Sequence, residues 1–154
     1  SISISPIAQT FGSLTGRPAL AAGRNPNSVT IHPLGKFAYT ANYNFDTISV
    51  YKIETSGALT GRTDVAAGTN PNSVTIDPLG KFAYAANYSS NNISVYAIDQ
   101  TTGALTAVTT ASAGTNPYVV VIDPSGKFAY VLNAVSSTIS VYQIGATGEL
   151  TPVP

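Results

Sequence analysis

Cysteine, methionine and tryptophan are absent from this chain of 154 residues, and histidine occurs once. Without cysteine there is no disulfide, thiolate metal site, iron–sulfur cluster or thiol nucleophile, and one histidine cannot build a multi-histidine metal site. We therefore expect neither a metal nor a cofactor. Charged residues make up 9% of the chain and cancel to a formal net charge of +0. Without a basic run or a long apolar run, the sequence predicts no nucleic-acid binding and no membrane insertion.

A long repeat dominates what the sequence does contain. Gly23–Tyr39 recurs as Gly68–Tyr84 and again as Gly114–Tyr130, and residues 23–47 match residues 68–92 at 18 of 25 positions. A period of about 40–50 residues is typical of propeller blades, kelch units and helical solenoids. The type of element inside each unit therefore decides the fold.

Each unit contains four short runs that are rich in Val, Ile, Thr, Tyr and Phe and alternate with period two; in the first full unit they cover 28–31, 36–41, 47–53 and 58–65. Pro, Gly and Asn separate them, which is a strand and hairpin pattern. Four strands (A to D) per unit, without a helical pattern between them, predict an all-β propeller blade. We expect a single β-propeller domain or half-propeller, with strands C and D of a partial blade at 1–22, full blades at 23–67 and 68–113, and a blade with a truncated last strand at 114–154.

Two motifs carry a family resemblance. One is Pro-Asn-Ser-Val-x-Ile-Asp-Pro-x-Gly-Lys-Phe-Ala-Tyr-x-Ala-Asn, and the other is Ile-Ser-Val-Tyr-x-Ile followed by Gly-Ala-Leu-Thr. Both resemble the YVTN-type β-propeller repeat, which occurs in lactonase-like seven-bladed propellers and in surface-layer propeller proteins. The resemblance implies that strand A lies near the axis and strand D is outermost. It says less about function, because one fold hosts many activities.

About three and a half blades cannot close a ring, since propellers have about 4–8. The segment Ile2–Thr15 aligns without a gap on Ile93–Thr106, so the chain opens on strand C. We expect self-association into a six- or seven-bladed ring, most simply as a homodimer; a higher oligomer or fibre built by strand donation, and a piece of a longer propeller, are the alternatives. The faces to be covered should carry residues such as Val29, Ile31, Phe37, Tyr39, Ile48 and Val50.

Amide and aromatic side chains recur in two groups of loops that should share one face of the disk. The D-to-A loops hold two asparagines and a tyrosine, and the ends of strand B hold three asparagines followed in two units by tyrosine. Amides can hydrogen-bond a glycan or a protein, and tyrosines can stack on it. The predicted ligand residues are Asn27, Asn72, Tyr118, Asn42, Asn87, Asn133, Tyr43 and Tyr88. The alternative for each is a structural role, in which the asparagines cap strand ends and the tyrosines fill gaps between blades.

No catalytic constellation stands out. The single histidine, His32, takes the turn position that Asp77 and Asp123 occupy in the sister units, so we interpret it as a surface turn residue. We therefore predict a non-catalytic, self-assembling scaffold, extracellular or at the cell surface, that binds glycans or proteins on its loop face. The alternative, implied by the resemblance, is a lactonase-like hydrolase of sugar lactones, and a further alternative is a subunit of a fibre or surface layer.

Overall fold

The computed structural model describes residues 19–154, which form three four-stranded antiparallel sheets and thereby confirm the predicted all-β propeller architecture. The predicted partial blade at 1–22 lies outside the described residues, apart from 19–22. No helix in the described range is long and apolar enough to span a membrane. The strands are β1 Pro26–Ile31, β2 Phe37–Asn42, β3 Thr47–Ile53 and β4 Leu59–Ala66 in blade 1; β5 Pro71–Ile76, β6 Phe82–Asn87, β7 Asn92–Ile98 and β8 Leu105–Ser112 in blade 2; and β9 Pro117–Ile122, β10 Phe128–Asn133, β11 Thr138–Ile144 and β12 Leu150–Pro152 in blade 3.

Acceptor side chains shape the hairpin between the first two strands of each blade. In blade 2, Asp77 accepts hydrogen bonds from the amides of Leu79 and Phe82 at 3.1 and 2.7 Å. Such a turn fits Asp-Pro-x-Gly, because Asp accepts from the turn amides and Pro presets φ. In blade 1 the Nδ1 atom of His32 takes the same role and accepts from the Leu34 amide at 3.1 Å.

His32 differs from the sequence expectation in its burial. It is a turn residue as predicted, but it is 1% exposed rather than on the surface. The turn of blade 2 covers it, and its Nε2 atom donates to the carbonyl oxygen of Gly80 at 2.9 Å. Both ring nitrogens are therefore engaged, and the imidazole is a connector between blades 1 and 2.

Apolar side chains fill the space between successive blades. Phe37, Tyr39, Ile48 and Val50 of blade 1 pack against blade 2, in a cluster that includes Val74. These four residues were expected on an uncovered face; they are buried because their face of blade 1 is the one that blade 2 covers. A second cluster repeats this packing between blades 2 and 3.

A tyrosine and a glycine connect each pair of blades. The Tyr39 hydroxyl donates to the Gly103 carbonyl at 2.8 Å, and one blade further on Tyr84 donates to Gly148 at 3.0 Å. Burial raises the pKa of both phenols, which keeps them protonated as donors. A Cβ atom on Gly103 would lie 2.5 Å from the Phe37 ring, so glycine permits this contact.

The two outer faces differ from these interfaces. Val29 is 65% exposed, whereas the equivalent Val74 and Val120 are 3% and 1% exposed. On the far side of blade 3, Phe128, Tyr130 and Leu132 are exposed as well. These faces are compatible with the predicted homodimer, which stays a prediction.

Candidate functional site

The predicted loop face exists as one end of every blade. In blade 1, Pro26 at the start of β1 pairs with Asn42 at the end of β2, and blades 2 and 3 repeat that register. The starts of the innermost strands and the loops that follow the second strands therefore lie at the same end. The predicted ligand residues form three groups there.

The first group runs from blade to blade along the innermost strands. Asn27 donates through Nδ2 to Oδ1 of Asn72 at 2.8 Å, and Asn72 donates through its own Nδ2 to the backbone carbonyl of Tyr118 at 2.9 Å. We call these three residues the amide row. Asn72 is buried, whereas Asn27 and the Tyr118 side chain are exposed. The exposed members of the row are therefore one amide side chain and one aromatic ring.

The second group is a pair of tyrosines on the loops after the second strands. The rings of Tyr43 and Tyr88 lie 6.1 Å apart at 53°, and both side chains are half-buried. Their backbone carbonyls accept from Nδ2 of Asn70 and Asn116 in the next blade, each at 2.9 Å. Because each loop is tied to its neighbour, the aromatic pair is a fixed surface. In blade 3 alanine takes the tyrosine position, so the pair has no third member.

The third group, Asn42, Asn87 and Asn133, is fully buried. Asn87 illustrates the set: its Nδ2 donates to Asn92 and Ser94, each at 2.8 Å, and its Oδ1 accepts from the Gly68 amide at 3.1 Å. These bonds join the second strand, the third strand and the loop that enters the blade. The amide cannot reach a ligand without breaking them, so the geometry favours the structural alternative for this group.

Blade 1 carries a polar cluster that sequence reasoning missed. Arg62 binds Asp64 through Nε and Nη2 at 2.9 and 2.7 Å, and Nη1 donates to the Ala22 carbonyl at 2.8 Å. The buried Ser49 hydroxyl donates to Asp64 at 2.6 Å. The Arg62 hydrogen bond lowers the pKa of the Asp64 carboxyl, and Ser49 adds to the effect against partial desolvation. An Arg and an Asp two residues apart on one strand share a face, which is the signal that would have revealed the pair.

Three depressions on residues 19–154 have neutral linings. Two grooves of about 490 and 550 Å³ lie between outer strands of neighbouring blades, and neither is lined by a charged side chain. A smaller depression of about 290 Å³ adjoins Asn27. Within residues 19–154 no three His, Cys, Asp or Glu side chains converge as metal ligands do. The depression beside the amide row is therefore lined by neutral groups.

The chain matches one protein-family model and several solved structures. The family model described as a lactonase with a seven-bladed β-propeller matches residues 3–75 and 68–154. Among solved structures, a putative 6-phosphogluconolactonase from Bacteroides fragilis is similar at a TM-score of 0.80 and 30% identity, over 87% of this chain and 39% of that one. A putative 6-phosphogluconolactonase from Bacteroides uniformis is similar at a TM-score of 0.80 and 26% identity, over 87% of this chain and 40% of that one. A periplasmic gluconolactonase from Pseudomonas aeruginosa is similar at a TM-score of 0.74 and 24% identity, over 86% of this chain and 39% of that one. At this identity the likeness supports the fold alone.

No curated protein sequence matches the chain significantly. The chain spans about 40% of the length of the solved structures above. These findings correct the main functional interpretation of the sequence: the non-catalytic, self-assembling scaffold is wrong as the leading function, and the lactonase-like hydrolase is favoured. Blade 3 departs from the repeat at Tyr118, where the sister units carry Asn27 and Asn72. The surface-layer part of the resemblance stays a prediction.

Proposed function

Because the chain belongs to the lactonase family of seven-bladed β-propellers, we propose that it is part of a propeller that hydrolyses sugar lactones, with the amide row on its substrate-binding surface. The family match across most of the chain is the observation that carries the proposal. The printed names of two similar structures, both putative 6-phosphogluconolactonases, support it. A sugar lactone carries several hydroxyls, which suit the neutral amides and tyrosines at this end of the blades.

Lactone hydrolysis sets a clear chemical requirement. Water adds to the ring carbonyl, the bond between that carbon and the ring oxygen breaks, and the ring oxygen takes a proton, which gives a hydroxy acid. A base that accepts the proton of water and donors that stabilise the oxyanion accelerate the reaction. In this chain Asn27 and Tyr118 would contact the ring, and Asn72 would orient Asn27 towards it. His32 is excluded as the base, because both ring nitrogens are engaged in a buried turn.

The test is hydrolysis by the 154-residue protein, followed by acid release in a pH-stat. We expect glucono-δ-lactone and its 6-phosphate to open faster than in buffer alone. Asn72→Ala should raise KM, because Asn72 joins Asn27 to Tyr118. Asn44→Ala is the matched control, since Asn44 lies exposed at the same end and outside the row. Rates equal to buffer with every lactone would refute the proposal.

A further inference from the structure

The hydrogen bonds of the amide row have a fixed direction. The row ends on the backbone carbonyl of Tyr118, which can only accept. Asn72 must therefore turn its nitrogen towards Tyr118, at 2.9 Å, and its oxygen towards Asn27. Asn27 must in turn present its nitrogen to that oxygen, at 2.8 Å. A backbone atom thus sets the orientation of both side-chain amides.

Reversing either amide would be costly. Turning Asn27 alone would place its oxygen against the oxygen of Asn72, at the 2.8 Å that the hydrogen bond now spans. Turning both would place the Asn72 oxygen against the Tyr118 carbonyl and leave a buried acceptor without a donor. A buried polar group that loses its partner destabilises the fold. The row therefore holds one orientation.

The fixed orientation leaves the Oδ1 atom of Asn27 at the end of the row opposite Tyr118. Asn27 is exposed, and within residues 19–154 no side chain or backbone amide donates to its Oδ1 atom. The depression of about 290 Å³ beside it is lined by Ala22, Pro26, Asn27, Ser28, Val29 and Thr40. No lining residue carries a charge. Asn27 thus offers a ligand a neutral hydrogen-bond acceptor whose direction is set two blades away.

We propose that Oδ1 of Asn27 accepts a hydrogen bond from a ring hydroxyl of the ligand, and that Asn72 is the positioning residue that aims it. This deepens the proposed function and rests on it for the identity of the ligand as a polyhydroxylated lactone. An acceptor favours a donating hydroxyl and disfavours an oxyanion at the same point. The contact therefore selects for a hydroxylated ring over an unsubstituted ring of the same size.

Two ring lactams that do not hydrolyse readily test the contact: gluconolactam, which carries the hydroxyls, and δ-valerolactam, which carries none. Dissociation constants come from NMR shift titration of the whole protein. Asn27→Leu keeps the approximate size of the side chain and removes the acceptor. We expect this variant to bind gluconolactam about 2- to 10-fold more weakly, as the loss of one neutral hydrogen bond does, and to bind δ-valerolactam with unchanged affinity.

Asn72→Ala separates positioning from general damage. It should reduce the preference for gluconolactam over δ-valerolactam, which a merely structural loss would not move. Asn44→Ala should change the affinity for neither ligand. Asn27→Leu should be less stable than the wild type, because Oδ1 of the buried Asn72 loses its donor, so the affinities are compared at a temperature at which both proteins are fully folded. No gluconolactam binding by the wild type, or the same preference in Asn27→Leu, would overturn the inference.

The two proposals fail separately in these experiments. Binding of gluconolactam that depends on Asn27, without hydrolysis of any lactone, would refute the hydrolase and leave the hydroxyl contact standing. Hydrolysis at rates that Asn27→Leu does not alter, with an unchanged lactam preference, would refute the contact alone.

Discussion

Equivalent residues have different surroundings on the inner and outer faces of this molecule. Tyr39 and Tyr84 are 0% exposed between blades, whereas Tyr130, at the same position of blade 3, is 40% exposed. The backbone around the three residues is the same, since each lies on the second strand of a four-stranded blade. Each repeat therefore carries an apolar face, and that face contributes to stability only where an adjacent blade covers it.

The largest effect should come from removing a phenylalanine ring on a covered face. Phe37→Ala should lower the free energy of unfolding by about 3–5 kcal/mol, because the ring is 4% exposed and its loss leaves a cavity against Gly103. Phe128→Ala, the same change on the open face, should cost less, about 1–2 kcal/mol, because the Phe128 side chain is 37% exposed. Urea unfolding of both variants measures the difference.

Equal decreases in the free energy of unfolding for Phe37→Ala and Phe128→Ala would contradict this difference between covered and open faces. They would mean that the open face of blade 3 is covered in solution, as the predicted homodimer requires. In that case the cost of Phe128→Ala should grow with protein concentration, because association stabilises by mass action.

Alanine substitutions at two equivalent glycines separate the effect of the contact between blades from the effect of backbone strain. Gly148 and Gly57 occupy equivalent turns with φ of 85° and 81°, so alanine is strained similarly at both. At Gly148 a Cβ atom would lie 2.5 Å from the Phe82 ring, whereas at Gly57 nothing lies within 4 Å. Gly148→Ala should therefore be less stable than Gly57→Ala by about 1–3 kcal/mol, the usual cost of overpacking. Thermal unfolding of the two variants side by side would reveal it, and identical stabilities would contradict the contact.

The fold could be predicted because its signals are local. Period-two alternation defines strands, and Asp-Pro-x-Gly defines the hairpins, as at Asp77. The roles of buried polar residues were harder to predict, since they depend on a neighbour distant in sequence. The Asn87 side chain bonds the loop at Gly68, and the turn at Gly80 covers His32; both contacts join residues far apart in the sequence.

The sequence predicts which residues of the amide row lie close together, but not how they bond. The repeat places Asn27, Asn72 and Tyr118 at equivalent positions, so their proximity could be predicted from the propeller alone. Their hydrogen-bond direction could not, because it depends on a backbone carbonyl of blade 3 facing the side chain of Asn72. Activity could not be derived from the repeat either, since similar blades suit an enzyme and a scaffold equally well.

The smallest effect concerns the polar cluster of blade 1, which blade 2 lacks because Val108 and Thr110 replace Arg62 and Asp64. The pKa of Asp64 is lowered in the folded protein, chiefly by Arg62, so the pair stabilises the fold above the unfolded pKa of about 3.9 and loses that contribution as the pH falls through the folded pKa.

Asp64→Asn should therefore unfold more easily than the wild type at neutral pH, and the gap should close in acid. Both partners are partly exposed, with side-chain exposures of 26% for Arg62 and 39% for Asp64, so solvent screening keeps the gap at about 1 kcal/mol or less. Thr110→Asn, at the equivalent position of blade 2, is the matched control and should give a difference from the wild type that does not vary over the same acid range. A gap for Asp64→Asn that persists below the folded pKa would mean that the Asn side chain disturbs packing around Ser49, and that the charge of Asp64 contributes nothing to the difference between blades 1 and 2.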